Sequence, residues 1–133
     1  MKSILAAWPP RYLSTLRIVT AFLFMAHGTQ KMLGFPVPRA SPVELWSVGG
    51  VSGTLELVGG ALILLGLFTR PVAFLLSGLM AFAYFIAHAP QDFWPIVNRG
   101  ELAVLYCFVF LYFAAAGGGP WSVDHWWRER RNR

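Results

Sequence analysis

The chain has 133 residues, of which 56% are hydrophobic and 13% are charged, and its formal net charge is +5. Because an ordinary soluble domain carries about 25% charged residues, this composition excludes such a domain and predicts a single-domain integral protein of the lipid bilayer. Four arginines lie in the last six residues, so the charge indicates membrane topology, and no basic motif supports nucleic-acid binding.

Four apolar segments are long enough to cross a bilayer as helices, for which about 17 to 25 residues are required. They cover residues 12–33, 48–68, 71–89 and 100–116. The sequence Thr69-Arg70-Pro71 leaves room only for a tight turn between the second and third segments. We therefore predict an all-α fold, an antiparallel bundle of four transmembrane helices. It forms one domain, residues 1–133, which ends in a basic tail at 121–133.

The basic residues at the segment ends predict the orientation of the bundle. One side would hold Lys2, Arg11, Arg70 and the four arginines of the tail, and the other side would hold Lys31, Arg39 and Arg99. Under the positive-inside rule, the side with more basic residues faces the cytoplasm. Both termini are therefore predicted to be cytoplasmic, and the two longer loops are predicted to face outward.

With this topology, every predicted span carries an ionisable residue near the outer side of the membrane. These residues are His27 and Lys31 in the first span, Glu56 in the second, His88 in the third and Glu101 in the fourth. A charged side chain that faces lipid at mid-membrane costs about 2.5–3.5 kcal/mol, and pairing inside the bundle lowers that cost. We therefore expect a polar cluster within the outer half of the bundle, opening outward.

Each member of this cluster also has a simpler structural interpretation. Lys31 could extend to the headgroups, as could Arg17 near the other end of its span, and His88 could lie at the interface without a role. Glu101 could serve only to favour the start of its helix. Glu56 is hardest to explain in this way, because it lies about two turns inside its segment. Pairs that only hold the helices together are an alternative for all of them.

Glycines share one helical face with Glu56. Gly49 and Gly53 form a GxxxG pair on that face, and small residues at this spacing allow helices to approach closely. The Glu56 face is therefore expected to pack against another helix. The single cysteine, Cys107, lies within an apolar run and is interpreted as a buried structural thiol. The sequence contains no zinc or haem signature, and no metal site is predicted.

Several motifs, taken in chain order, carry a family resemblance. They are Arg17 with His27-Gly28 and Lys31, the segment 56–60, the segment 66–70, the turn Asn98-Arg99-Gly100-Glu101 and the closing segment 119–124. Together they resemble the DoxX family over nearly the whole chain. Arg99 departs from the family pattern, in which this turn has a glycine. The arginine either tightens the turn or adds a charge at the mouth of the cluster.

The resemblance implies a small four-helix protein of the bacterial inner membrane, with links to the redox chemistry of quinones or thiols. Our first hypothesis is a quinone-linked redox subunit, with a quinone as the candidate ligand and a soluble or membrane partner as the electron source. The candidate catalytic residues are Glu56, His27 and Glu101. The candidate ligand-binding residues are Arg17, Lys31, Tyr84, His88 and Asn98.

Two other functions fit the same sequence. Lys31, His88 and Arg99 would attract a small anionic or thiol solute to the outer mouth, which suits a binding or transport protein. Four helices are few for a carrier, so this hypothesis favours a homodimer. Alternatively, the arginine tail and the segment 121–124 would hold a soluble partner, and the protein would be a membrane anchor.

Overall fold

The computed structural model describes residues 4–133, with side chains from Ala6 onward. It contains six α-helices: α1 (Trp8–Leu33), α2 (Val48–Leu65), α3 (Thr69–Ala83), α4 (Pro95–Asn98), α5 (Glu101–Ala116) and α6 (Val123–Arg131). A 3-10 turn, Ile4–Ala7, precedes α1, and a π-helical turn, Tyr84–His88, continues α3. The predicted all-α fold is confirmed, since the described residues form no strand. Lys2, which contributed to the predicted orientation, lies outside the described residues.

The helix ends fall close to the predicted segment boundaries, and glycines explain two of them. α1 ends at Leu33 because Gly34 adopts a φ of 64°, in the left-handed region that glycine tolerates best. α2 ends at Leu65, earlier than the predicted boundary at residue 68, because Gly66 adopts a φ of 69°. α1 begins at Trp8, one turn before the apolar run starts at residue 12.

The basic tail contains a helix, α6, that the sequence analysis did not predict. Ser122 caps its start, and the Ser122 hydroxyl accepts a hydrogen bond from the N–H of His125 at 3.2 Å. The Asp124 carboxylate accepts hydrogen bonds from the N–H groups of Phe68 and Thr69, both at 2.8 Å. One side chain of the tail therefore caps α3 and fixes α6 against the body of the protein.

Two helices are long and apolar enough to cross a membrane, judged by length and composition. They are α2 and the continuous helix Thr69–His88. α5, with 16 residues, is a shorter apolar helix, whereas α1 has 26 residues but carries polar side chains such as Arg17 and His27. The four-span topology therefore stays a prediction.

Neighbouring helices run antiparallel. α1 packs along α2, and α3 packs along α5, while α2 and α3 share a smaller contact. Arg17 donates hydrogen bonds to the last turn of α2. Lys31 lies two residues from the end of α1 and donates a hydrogen bond to Glu56, in the first half of α2. Arg70, near the start of α3, donates to the carbonyl oxygen of Ala115, near the end of α5. Each helix pair thus has its chain directions reversed.

One buried apolar core joins four of the helices. Its members are Ala21 and Phe24 of α1, Ile63 of α2, Ala73, Leu76 and Met80 of α3, and Tyr106, Phe110 and Phe113 of α5. The rings of Phe24 and Phe110 lie edge to face, with centroids 4.8 Å apart. Other large side chains point away from this core, and Phe22, Phe74 and Phe108 are each more than 60% exposed. A surface of this kind requires apolar surroundings.

Two glycines allow α1 and α2 to approach closely. A methyl group at Gly28 would lie 2.5 Å from the backbone nitrogen of Leu57, and one at Gly53 would lie 2.9 Å from the Cβ atom of Lys31. Of the predicted GxxxG pair, Gly53 thus faces α1, whereas Gly49 faces the loop before α2. Because Gly53 has no side chain, the aliphatic part of the Lys31 side chain can pack directly against α2.

Gly28→Ala is expected to lower the free energy of unfolding by about 1–3 kcal/mol, because the added methyl overlaps backbone that cannot move without separating the helices. Gly78→Ala is the matched control, since nothing lies within 4 Å of its Cβ position on α3. That variant should be neutral or stabilising by up to about 1 kcal/mol, because alanine reduces the conformational entropy of the unfolded chain. Unfolding in detergent micelles measures both, and equal effects would contradict the packing argument.

Candidate functional site

A cavity of about 640 Å³ lies between α1, α2, α3 with its π-helical turn, and α5. Its wall is mainly apolar and includes Phe24, Leu79 and Met80. The polar groups on the wall come from seven residues: His27, Lys31, Ser52, Glu56, His88, Arg99 and Tyr106. The volume falls within the range of about 300–1,000 Å³ that small-molecule sites occupy.

The cavity contains an ion pair between α1 and α2. Lys31 Nζ lies 2.6 Å from Glu56 Oε1 and 3.2 Å from Ser52 Oγ. Glu56 is only 4% exposed, and its second oxygen, Oε2, is buried with no hydrogen-bond partner among the described residues. A buried carboxylate oxygen without a partner is costly, so Oε2 has an unmet capacity to accept a hydrogen bond.

His27 lies one turn before Lys31 and faces the same cavity. Its ring lies edge-on to Tyr106, with centroids 6.3 Å apart. Within residues 4–133, the His27 ring makes no hydrogen bond or ion pair that would occupy its nitrogens. Because neutral imidazole offers one donor and one acceptor, His27 can bind a ligand or exchange a proton with it.

The loop between α3 and α5 orients His88. His88 Nδ1 lies 3.0 Å from the carbonyl oxygen of Asn98. A carbonyl oxygen can only accept, so Nδ1 carries the proton, and Nε2 of the neutral ring is left as an acceptor. The Asn98 side chain is buried and donates to the Asp92 carbonyl oxygen at 2.9 Å and to the Tyr84 hydroxyl at 3.3 Å. Asn98 and Tyr84 therefore hold the loop that positions His88.

Arg99 lies on the cavity wall at the position where the family turn has glycine. Its φ is 59°, so it adopts the left-handed conformation that glycine accepts without strain. The backbone thus keeps the shape a glycine would favour, and the side chain adds a cation. Of the two interpretations drawn from the sequence, this placement agrees with an added charge at the mouth.

The structure brings together four of the predicted site residues and leaves the other four outside the cavity. His27, Lys31, Glu56 and His88 line the wall. Tyr84 and Asn98 lie behind His88, as described above. Glu101 is exposed in the first turn of α5 and is not part of the cavity wall. Arg17 lies at the opposite end of α1.

Arg17 is fully buried and is bound by the protein itself. Its Nε donates to the carbonyl oxygen of Gly118 at 2.8 Å, and Nη2 donates to that of Trp121 at 2.6 Å. Nη1 donates to the carbonyl oxygens of Ile63 and Leu64, both at 2.5 Å. These four bonds use most of the donors of the guanidinium, and they join the end of α2 to the segment after α5. This placement gives no support to the prediction that Arg17 binds a ligand.

Among the cavity residues that the sequence did not single out for the site are Ser52, Tyr106 and Trp46. Ser52 precedes Glu56 by one helical turn, so helical spacing could have identified it. Tyr106 precedes Phe110 by one turn on the buried stripe of α5, whereas Tyr112 of the same helix is exposed, so the sequence did not distinguish the two tyrosines. Trp46 comes from the loop before α2 and is 95% exposed. No periodicity in the sequence could have placed a loop residue at the cavity.

Within residues 4–133, no group of three or more His, Cys, Asp or Glu side chains is arranged to hold a metal ion. Cys107 is half-buried on α5, and the Ser77 hydroxyl donates to its carbonyl oxygen at 2.8 Å.

Outward apolar faces, an ion pair between helices and a mainly apolar cavity with a few polar side chains are typical of a helical membrane protein. A family model described as DoxX matches residues 12–89 of the chain. The chain belongs to the DoxX family. The matched residues include Lys31, Glu56 and His88, whereas the turn at 98–101 and the segment 119–124 lie beyond them.

Two relatives are similar over most of the chain. A protein of Haemophilus influenzae, described as uncharacterized, is 44% identical over 131 residues, covering 91% of this chain and 94% of that protein. A protein of Mycobacterium tuberculosis, described as an uncharacterized membrane protein, is 27% identical over 141 residues, covering 91% of this chain and 84% of that protein. No solved structure matches the chain significantly. The family and the second relative both agree with a membrane location.

Proposed function

We propose that the protein crosses the bacterial inner membrane four times, with α1, α2, the continuous helix Thr69–His88 and α5 as spans and both termini in the cytoplasm. The antiparallel order of these helices and their exposed apolar faces support this topology. Arg70 and the arginines of α6 lie at the end of the bundle that holds Arg17, which the positive-inside rule assigns to the cytoplasm. The cavity then opens toward the outer side.

The cavity is proposed to bind the head group of a quinone, and the observation that carries this proposal is the environment of Glu56. An unpartnered buried oxygen lies beside a lysine on a wall that is otherwise mostly apolar. This combination suits a quinone and its quinol: the ring and tail are apolar, the quinone oxygens can accept from Lys31, and a quinol hydroxyl can donate to the Glu56 carboxylate. These residues therefore fit the ligand that the family resemblance implies.

Access from the lipid further favours a lipophilic ligand. Val51, Phe82 and Ile86 line the cavity, and each is also about half exposed. In a membrane these side chains would face the acyl chains. A ligand dissolved in the bilayer could therefore enter between α2 and the α3 helix without passing through water.

Each polar residue then has a role that its contacts allow. Lys31 would donate a hydrogen bond to a quinone oxygen, and His27 and Glu56 would exchange protons with the quinone oxygens. Tyr84 and Asn98 would act only by positioning His88. Reduction of a quinone to a quinol takes up two electrons and two protons; the residues of the cavity handle the protons, and a redox partner would deliver the electrons.

Binding of a quinone analogue to the purified protein in micelles tests the proposal. For the quinol form of the analogue, His27→Ala and Glu56→Gln should each weaken binding by about tenfold, because the imidazole and the carboxylate accept hydrogen bonds from the quinol hydroxyls. His125→Ala is the matched control, because His125 lies on α6 outside the cavity and should leave the affinity unchanged. Unchanged affinity in both cavity variants would refute quinone binding at this site.

A small anionic solute is the second candidate ligand, and the charge of the cavity mouth favours it. Lys31 and Arg99 line the cavity together with a single acid, Glu56, so the wall offers more positive than negative charge. Arg99→Gly separates the two candidates, because it removes a cation and suits the left-handed backbone. Uptake of an anionic thiol into proteoliposomes should fall in this variant if the solute is the ligand, whereas quinone affinity should change little.

A further inference from the structure

A second cavity, of about 600 Å³, lies at the end of the protein opposite the Glu56 cavity. It is formed by the start of α3, by Gly117 and Gly118 after α5, and by one face of α6. Four arginines line it, namely Arg70, Arg128, Arg130 and Arg131, together with one acidic residue, Asp124. This cavity is strongly cationic, and the proposed quinone site does not use it.

The single acid of this cavity is already engaged. Both carboxylate oxygens of Asp124 accept backbone hydrogen bonds at the start of α3, from Phe68 and Thr69 at 2.8 Å. Its charge is therefore directed at the helix terminus and is not paired with an arginine of the cavity. Thr69 also lines the cavity; its hydroxyl is buried and has no hydrogen-bond partner among the described residues.

Two of the four arginines are held by protein contacts, and two are not. Arg70 donates to the carbonyl oxygen of Ala115 at 2.7 Å, and the Arg130 guanidinium lies 4.1 Å from the centroid of the Trp126 ring. Arg128 and Arg131 make no hydrogen bond or ion pair with any residue from 4 to 133. Their planar, bidentate donors are suited to the oxygens of a phosphate group.

Aromatic side chains lie next to these cations. Phe68 and Trp127 line the same cavity with ring centroids 6.2 Å apart, and both are about half exposed. Tryptophan rings prefer the headgroup region of a bilayer, and exposed phenylalanine adds apolar surface at the same level. The ligand that matches these groups has a phosphate for the arginines and an apolar part for the rings. We propose that this cavity binds the phosphate of an anionic phospholipid in the cytoplasmic leaflet.

Short-chain phosphatidylglycerol and phosphatidylcholine, added to the full-length protein in a neutral detergent, test this proposal. The detergent removes the charged membrane surface, so only a defined site can distinguish the two lipids. Native mass spectrometry or thermophoresis should show that phosphatidylglycerol binds at least about tenfold more tightly. Arg128→Ala/Arg131→Ala should abolish this preference, since each arginine near an anionic lipid contributes roughly a fivefold change in affinity.

Arg11→Ala/Arg133→Ala is the matched control, because it removes the same charge from exposed residues that do not line the cavity. It should keep the preference for phosphatidylglycerol. Equal binding of the two lipids by the wild type, or equal losses in the two double variants, would overturn the proposal. Inorganic phosphate that binds as tightly as phosphatidylglycerol would overturn the assignment to a lipid. Unfolding in lipid-free detergent should be the same for all variants, which excludes misfolding as the cause.

Discussion

Arg17→Met is expected to lower the free energy of unfolding by about 3 kcal/mol or more, the largest loss we predict for a residue outside the Glu56 cavity. Arg17 is completely buried and donates to four carbonyl oxygens, two at the end of α2 and two in the segment 118–121. Methionine fills a similar volume but donates nothing, so these acceptors lose charge-assisted hydrogen bonds worth about 1.5–3 kcal/mol each before relaxation. Denaturant unfolding in micelles measures the loss.

Arg11→Met provides the control for this experiment. Arg11 is exposed on the same helix and lies over the Trp8 ring, 5.6 Å from its centroid. Its replacement should change stability by no more than about 0.5 kcal/mol. If Arg17 instead bound a ligand, Arg17→Met would lose ligand affinity while keeping wild-type stability, and that result would contradict the structural role.

Arg17 also shows what helical spacing can and cannot establish. Arg17 and Lys31 are 14 residues apart, close to four helical turns, so they lie on one stripe of α1, and both contact α2. They are nevertheless about 21 Å apart along the helix axis. The stripe identifies the buried face of α1. It does not show which other groups lie at the level of each residue. The carbonyl oxygens that bind Arg17 belong to other segments, and the spacing within α1 gives no information about them.

Glu101 illustrates a different limit. The predicted cluster included it because its depth matched that of Glu56. α5 is apolar around its whole circumference, so the sequence marks no preferred face for this helix. Glu101 lies about 140° around the helix from Tyr106, which does line the cavity. The position of Glu101 at the start of α5 could be predicted from the segment boundary, whereas its rotation about the helix axis could not.

The predicted part of the site followed from the cost of burying charge. His27, Lys31 and Glu56 are expensive to expose to lipid, so they had to face inward, and charge complementarity suggested their pairing. The fold followed similarly from the lengths of the apolar runs. α6 was not predicted because its sequence signal is short and local. Ser122 is a typical helix-capping residue, but the arginines that follow it were interpreted as a charged tail.

Lys31→Met is expected to destabilise the protein by about 3–5 kcal/mol, because it leaves the nearly buried Glu56 carboxylate without its partner. Glu56→Met should cost less, since the Lys31 side chain is 28% exposed and can extend toward water. In Lys31→Met/Glu56→Met the two apolar side chains can pack together, and the loss should be smaller than for Lys31→Met alone. The double-mutant cycle should give a coupling energy of at least about 2 kcal/mol.

The exposed pair of His125 and Glu129 on α6 is the matched control, with 3.3 Å between Nε2 and Oε1. Its double-mutant cycle should give no more than about 0.5 kcal/mol, because water screens exposed pairs. Strictly additive losses at Lys31 and Glu56 would contradict a pair buried from water. The double variant also separates stability from function, because it should be well folded yet bind the quinone analogue at least about tenfold more weakly, having lost both polar groups at the centre of the cavity.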